Sequence, residues 1–162
     1  MVNMGEKIIQ GRDIAFNRKI LESKETGMLV LRHKPRKERL KQRESGLNQV
    51  LCKIARDNNI ILAFDMQELA GEQDKKTKAE ILSRMLQNIK LIKKFKNKFK
   101  LLNPGNKHQA FSFLLTLGLP TNQAKEAVEE LFLIKQKQLF LNLRKMNWFI
   151  THISNNTINS IG

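Results

Sequence analysis

The chain has 162 residues, 41% of them apolar, which is enough to build one domain around a core and too many for a disordered tail. Thirty Lys and Arg stand against fifteen Asp and Glu, a formal net charge of +15; a fold that basic repels itself unless it meets a polyanion, so nucleic acid is the first expected partner and a membrane surface the second. One cysteine, Cys52, excludes an internal disulfide framework, and no apolar run reaches the roughly eighteen residues of a membrane span, which together with an N-terminus unlike a secretory signal points to a cytoplasmic protein.

Taken in chain order, the pattern predicts strands alternating with helices. KIIQ (residues 7–10) reads as a short strand ending at Gly11, and residues 13–25, with Ile14, Ile20 and Leu21, as a helix. MLVL (28–31) is an apolar strand bounded by Gly27 and by charges. Leu47, Val50, Leu51, Ile54 and Ala55 recur at helical spacing behind Ser45, the expected N-cap. An isolated helix of about fourteen residues is marginal in water, so this stripe must dock. IILAF (60–64) is apolar on both faces, as a covered parallel strand requires. A helix over 75–94 carries Ile81, Leu82, Met85, Leu86, Ile89 and Ile92. FKLL (99–102) is the next strand, closed by NPGN. A helix over 109–117 stops at Gly118, and a last one, capped by Thr121, runs from 122 to about 145. The alternation indicates an α/β fold with a parallel sheet, with too few strands to close an eight-stranded barrel.

Two basic stretches stand out. In RHKPRKERLKQR, leading into ESGLNQ, the side chains of Arg32, Lys34, Arg36, Lys37, Arg39, Lys41 and Arg43 face only Glu38 before Glu44. Guanidinium forks match phosphate geometry, and the free amides of a helix start near Gly46 to Asn48 also favour an anion. In a parallel α/β unit this loop follows the carboxyl end of a strand, where such folds bind ligands. The second stretch, KLIKKFKNKFK (90–100), has six lysines and no acid; Phe95 and Phe99 suit a helix-to-strand corner better than base stacking. Cys52 lies on an apolar stripe and reads as a buried, inert thiol. His33, His108 and His152 are scattered without metal spacing, and Asp13 and Asp65 read as caps or turn residues. No glycine-rich phosphate loop and no nucleophile elbow is present.

GRDIAFNRKILE, RKERLKQRESGLNQVLCKIARDNNI, RMLQNIKLIKKFK and FLLTLGLPTNQAKEAV occur in the order and spacing of one family. Over residues 11–130 the chain resembles archaeal ribonuclease P protein component 3. The resemblance implies a partial TIM-like barrel of the polymerase-and-histidinol-phosphatase (PHP) type over residues 1–130, with parallel strands alternating with helices and without that fold's usual metal ligands. A helical extension and an irregular tail then fill 131–162. It implies an accessory subunit of the ribonucleoprotein endonuclease that removes the 5′ leader from precursor tRNA. Catalysis would rest with the RNA subunit and its magnesium, and the protein itself would bind no cofactor. The partners implied are the ribonuclease P RNA, precursor tRNA, protein component 2, as a heterotetramer, and the other protein components, with no membrane. The family pattern carries RNA or partner contacts onto Asn17 and Arg18, and onto Arg36, Lys37, Arg39, Lys41, Gln42, Arg43, Ser45, Gly46 and Asn48. Catalytic residues are not expected among them. The stretch with which family members begin, carrying the first barrel strands, is expected to be missing here. A metal-dependent phosphoesterase of the PHP type and a non-functional fragment of component 3 are the alternative readings.

Overall fold

The computed structural model describes residues 7–23, 25–34 and 44–128. They form β1 (Lys7–Gln10), α1 (Ile14–Glu22), β2 (Thr26–Leu31), α2 (Gln49–Asp57), β3 (Ile61–Asp65), α3 (Met66–Ala70), α4 (Lys75–Phe95), β4 (Phe99–Leu102) and α5 (Lys107–Thr116). Residues 121–128 are also helical. Every strand pair is parallel, and the spatial order β1-β2-β3-β4 repeats the order in sequence. Parallel neighbours need crossovers, and right-handed crossovers stepping one way leave their helices on one face. Accordingly α1 packs on α2 and α2 on α4. The expected α/β fold with a parallel sheet is thus present. Among the described residues the sheet is open, with β1 and β4 at its edges.

Register fixes the two faces. Leu29 lies beside Leu62, Leu31 beside Phe64, Leu62 beside Phe99 and Phe64 beside Leu101. These residues are buried toward the helices, with Phe64 and Phe99 packed edge-on at 4.8 Å. Met28, Val30, Ile61 and Ala63 form a second buried cluster on the opposite face, joined by Leu102. Burial on both faces explains why these strands read as unbroken apolar runs rather than as alternation.

Several boundaries differ from the sequence pattern, each for a local reason. Asn48, not Ser45, caps α2, and its side chain accepts from the Leu51 amide at 2.9 Å. Gly46 holds φ 77°, so the chain turns there and cannot enter the helix three residues earlier. Val50 consequently points outward and is 54% exposed, whereas Leu47, ahead of the helix, is buried. The short α3 was not expected; Asp65 starts it by accepting from the Gln67 amide. Asn106 accepts from the amides of His108 and Gln109, which moves the start of α5 to Lys107. Thr121 lies within its helix rather than capping it, since the Ala124 amide already bonds to the Pro120 carbonyl. The continuation of that helix to residue 145 and the tail over 131–162 fall outside the described residues.

The largest correction concerns α4. Its buried face is Ile81, Arg84, Met85, Asn88, Ile89 and Ile92. Leu82 is only half-buried and Leu86 is exposed. The stripe is rotated from the purely apolar one so as to turn two polar side chains inward.

Candidate functional site

Loops gather at the carboxyl edge of a parallel sheet, and here that edge holds a cluster of buried polar groups just beyond β2. Alternation along the strand carries Leu29, Leu31 and then His33 toward the helices. His33 is fully buried, edge-on to Phe64 with centroids 4.4 Å apart. A buried imidazole needs partners for both nitrogens. Nδ1 lies 3.2 Å from Glu68 Oε2, and Nε2 lies 3.2 Å from Asn88 Nδ2. The same Asn88 nitrogen donates to the Ser45 carbonyl at 3.0 Å. A carbonyl only accepts, so the amide orientation is fixed and Nε2 faces a donor. Nε2 therefore accepts, and the ring hydrogen sits on Nδ1 and goes to Glu68.

Glu68 accepts more than that. Its oxygens take the backbone N–H of His33 at 2.8 and 2.9 Å and that of Lys34 at 2.7 Å. Burial is the largest influence on this carboxyl and pushes it up. The His33 ring and the two backbone amides together outweigh burial, so it titrates below its ordinary value. Arg84, 2% exposed, donates from Nη1 to the His33 carbonyl at 3.0 Å. One histidine thus joins a buried guanidinium to a largely buried carboxylate, which lowers the cost of keeping each out of water. Asn88 Oδ1 is buried without a partner, a penalty the network carries.

The chain returns to the same place at residues 44–48. Glu44 Oε1 accepts from the Ile14 amide at 3.1 Å, at the start of α1. Asn17 is 1% exposed; its Oδ1 accepts from the Arg12 amide at 2.7 Å and its Nδ2 donates to the Gly46 carbonyl at 2.8 Å. Gly11 permits this approach, because a Cβ there would lie 3.1 Å from Asn17 Oδ1 and 3.0 Å from the Val30 carbonyl. Residues 32–34 and 44–46 therefore meet at Asn88. Beside them Gln10, Arg32, Lys34, Asp65, Gln67 and Glu68 line a cleft of ≈ 280 Å³.

Of the positions expected to contact RNA, Arg36, Lys37, Arg39, Lys41, Gln42 and Arg43 lie outside the described residues. Asn17, Ser45 and Gly46 are buried. Their polar atoms brace the chain rather than face solvent, and Ser45 Oγ donates to the Leu47 carbonyl. Asn48 is half-buried and occupied as the α2 cap. Arg18 is exposed and pairs with Glu22 one turn on, at 2.8 Å. Missing from the expectation were His33, Glu44, Glu68, Arg84 and Asn88. The usable signal was Arg84 and Asn88 four residues apart, in phase with Ile81, Met85 and Ile92.

In the second basic stretch Lys90, Lys93, Lys94, Lys96 and Lys98 are exposed, while Lys100 is 4% exposed and faces the same side of the sheet as Ala63. Burial pushes the Lys100 amine down to about 8, a trend that Glu126 opposes and Lys98 reinforces. Phe99 is buried, as a corner residue should be. Cys52 is buried and free, its thiol pushed up to about 12 by burial. Asp13 and Asp65 cap α1 and α3. Among the described residues no group of His, Cys, Asp and Glu is placed to hold a metal ion, and no helix is long and apolar enough to cross a membrane.

The sequence matches no protein-family model and no curated protein. The fold does have a counterpart. It is similar to a chain in the cryo-EM structure of archaeal ribonuclease P with mature tRNA, with a TM-score of 0.63 and 22% identity. The match covers 85% of this chain and 59% of that one, so this chain spans less than two thirds of its counterpart's length.

Proposed function

We propose that this chain is a protein subunit of ribonuclease P, of the component 3 type, and that it binds the RNA subunit through the cations of its basic stretch between residues 36 and 43. The observation that carries the reading is the fold likeness to a chain of that ribonucleoprotein, reached independently of the four sequence motifs that resemble component 3. The sheet order supports it. Strands that neighbour one another in sequence order are what an arc of a barrel wall requires, whereas a doubly wound sheet would reverse direction. Charge supports it too, since +15 suits a surface laid against phosphates.

In this reading Arg36, Lys37, Arg39, Lys41 and Arg43 neutralise RNA phosphates, with Arg18 contributing from α1. Asn17, Ser45, Gly46 and Asn48 act indirectly, by fixing the chain on which those cations stand. The protein stabilises the active RNA and reduces repulsion between it and precursor tRNA. Phosphodiester hydrolysis belongs to the RNA subunit with magnesium. Component 2 is the expected direct protein partner, in a cytoplasmic complex.

The test is reconstituted removal of the 5′ leader from precursor tRNA, with Arg39→Ala/Arg43→Ala as the variant. The expected result is unchanged folding with weaker RNA binding and slower processing at physiological salt. Processing at the wild-type rate contradicts the assignment. Leader removal by the purified chain with magnesium and without the RNA subunit would favour a phosphoesterase instead.

A further inference from the structure

The two edges of a parallel sheet are distinct, and the second basic stretch lies on the edge away from the residues that bound the first. Lys34 and Glu44 stand at the carboxyl edge, tied to Glu68 and to the start of α1. Helix α4 runs back against the strands, so the second stretch emerges at the amino edge, where the Lys98 carbonyl accepts from the Leu62 amide and β4 begins. Strands of four to six residues put about 13–20 Å between the two edges.

Lys90, Lys93, Lys94, Lys96 and Lys98 are exposed, and among the described residues no carboxylate pairs with them. The acid that α2 brings to the same edge, Asp57, is held by Arg56 at 3.3 Å. Lys93 and Lys94 suit the last turn of a helix, whose carbonyls favour a cation. That does not account for Lys96 and Lys98. Lys96 is left-handed at φ 52°, a place usually filled by Gly or Asn. A lysine there destabilises the helix end, and no described acid meets its charge. Between these two lysines Asn97 is buried. Its Nδ2 donates to the Cys52 carbonyl at 2.8 Å and its amide to the Ile92 carbonyl at 3.1 Å. The turn is thereby pinned against α2, with a lysine on either side of the pin turned to solvent.

We propose that the end of α4 and the turn after it form a second RNA-contacting surface, in which Lys93, Lys94, Lys96 and Lys98 neutralise backbone phosphates at the amino edge of the sheet. The proposal rests on the RNA-binding reading above and adds a surface that reading does not use. Ammoniums on flexible stems meet phosphates as point charges, without the fork geometry of arginine, so this surface holds RNA in place and reads no bases.

Salt dependence tests it, because each neutralised phosphate contributes about 0.7–0.9 to the slope of log affinity against log salt. The probe is an in vitro-transcribed archaeal ribonuclease P RNA, titrated with the full chain. Lys94→Gln/Lys96→Gln/Lys98→Gln should lower that slope by at least about 1.4, the share of two contacts, with an unchanged far-ultraviolet spectrum. Lys19→Gln/Lys53→Gln/Lys107→Gln removes the same charge from exposed, dispersed positions on α1, α2 and α5 and should move the slope by less. Lys96→Asn should raise the midpoint of thermal unfolding while lowering the slope by about 0.7–0.9, a combination that a merely structural lysine would not give. If wild type binds and the variants at the end of α4 keep its slope, or the dispersed variant lowers it equally, the second surface is wrong while the ribonuclease P reading stands. If wild type binds anionic vesicles and not this RNA, both fall.

Discussion

The two basic stretches of the chain rest on different foundations. Around residues 32–34 and 44–48 the backbone is held from below by side chains of three helices: Asn17 of α1, Glu68 of α3, and Arg84 and Asn88 of α4. Along 90–98 the lysines project from the end of α4 and the turn after it, where Lys96 closes the helix in the left-handed region at φ 52°. Both stretches contribute to a positive field, but among the described residues a network of several buried side chains sets the backbone flanking the first, at 32–34 and 44–48, whereas the second is tied to α2 through Asn97, whose Nδ2 donates to the Cys52 carbonyl at 2.8 Å. Charge density in a sequence therefore says where a polyanion is attracted, and the polar groups underneath say where it can be held in one geometry.

Substitutions at the two places should behave unlike one another. The largest effect is expected at Asn88. Asn88→Ala removes the donor from both the Ser45 carbonyl and His33 Nε2, and two buried acceptors left unpaired at about 1–3 kcal/mol each put the loss at roughly 2–6 kcal/mol in urea unfolding. A loss below about 0.5 kcal/mol, the range of ordinary surface changes, would mean that the network does not hold the edge together.

Next comes Lys100, the member of the second stretch that behaves like a core residue. Its folded value, about 8, is below its ordinary 10.5, so between those limits the unfolded chain binds more protons than the folded one and stability rises with pH. Lys100→Met should raise stability at pH 7 by on the order of 1–3 kcal/mol and flatten the rise between pH 8 and 10.5. Loss of stability at pH 7 would show that the amine is needed where it lies.

Glu68 titrates in the opposite sense. Its folded value is depressed, so its stabilisation is present above the ordinary carboxylate value and is lost as pH falls through the lower folded one. Glu68→Gln should cost about 1–3 kcal/mol near neutrality, because its amide end meets the donors of His33 and Lys34, and should weaken the acid dependence of unfolding. The smallest effect is expected at Lys94, an exposed position on α4. Lys94→Gln should stay within about 0.5 kcal/mol of wild type, and a larger change would erase the contrast between the two stretches.

The two central strands were legible because a parallel strand covered on both faces leaves a short apolar run bounded by turn or charged residues, as in IILAF. Helix starts were less so. Ser45 and Asn48 are both good caps by chemistry, and the choice was made by Gly46 and by the burial of Ser45 against Asn88, which is tertiary information. The buried network was illegible for a related reason. His33 and its partners Glu68, Arg84 and Asn88 are 35 to 55 residues apart, so no local spacing announces them. Arg84 and Asn88 did carry a trace, as polar residues in phase with a core stripe. A polar side chain in that phase is informative because burying it without a partner is costly.

The most direct test of the ribonuclease P assignment is recovery of the tagged, full chain from cells that make it, at physiological salt, followed by sequencing of the RNA that comes with it. The account predicts that ribonuclease P RNA is the dominant enriched species and that washing at higher salt releases it. Recovery of the intact protein with no enrichment of that RNA over the cellular background would contradict it.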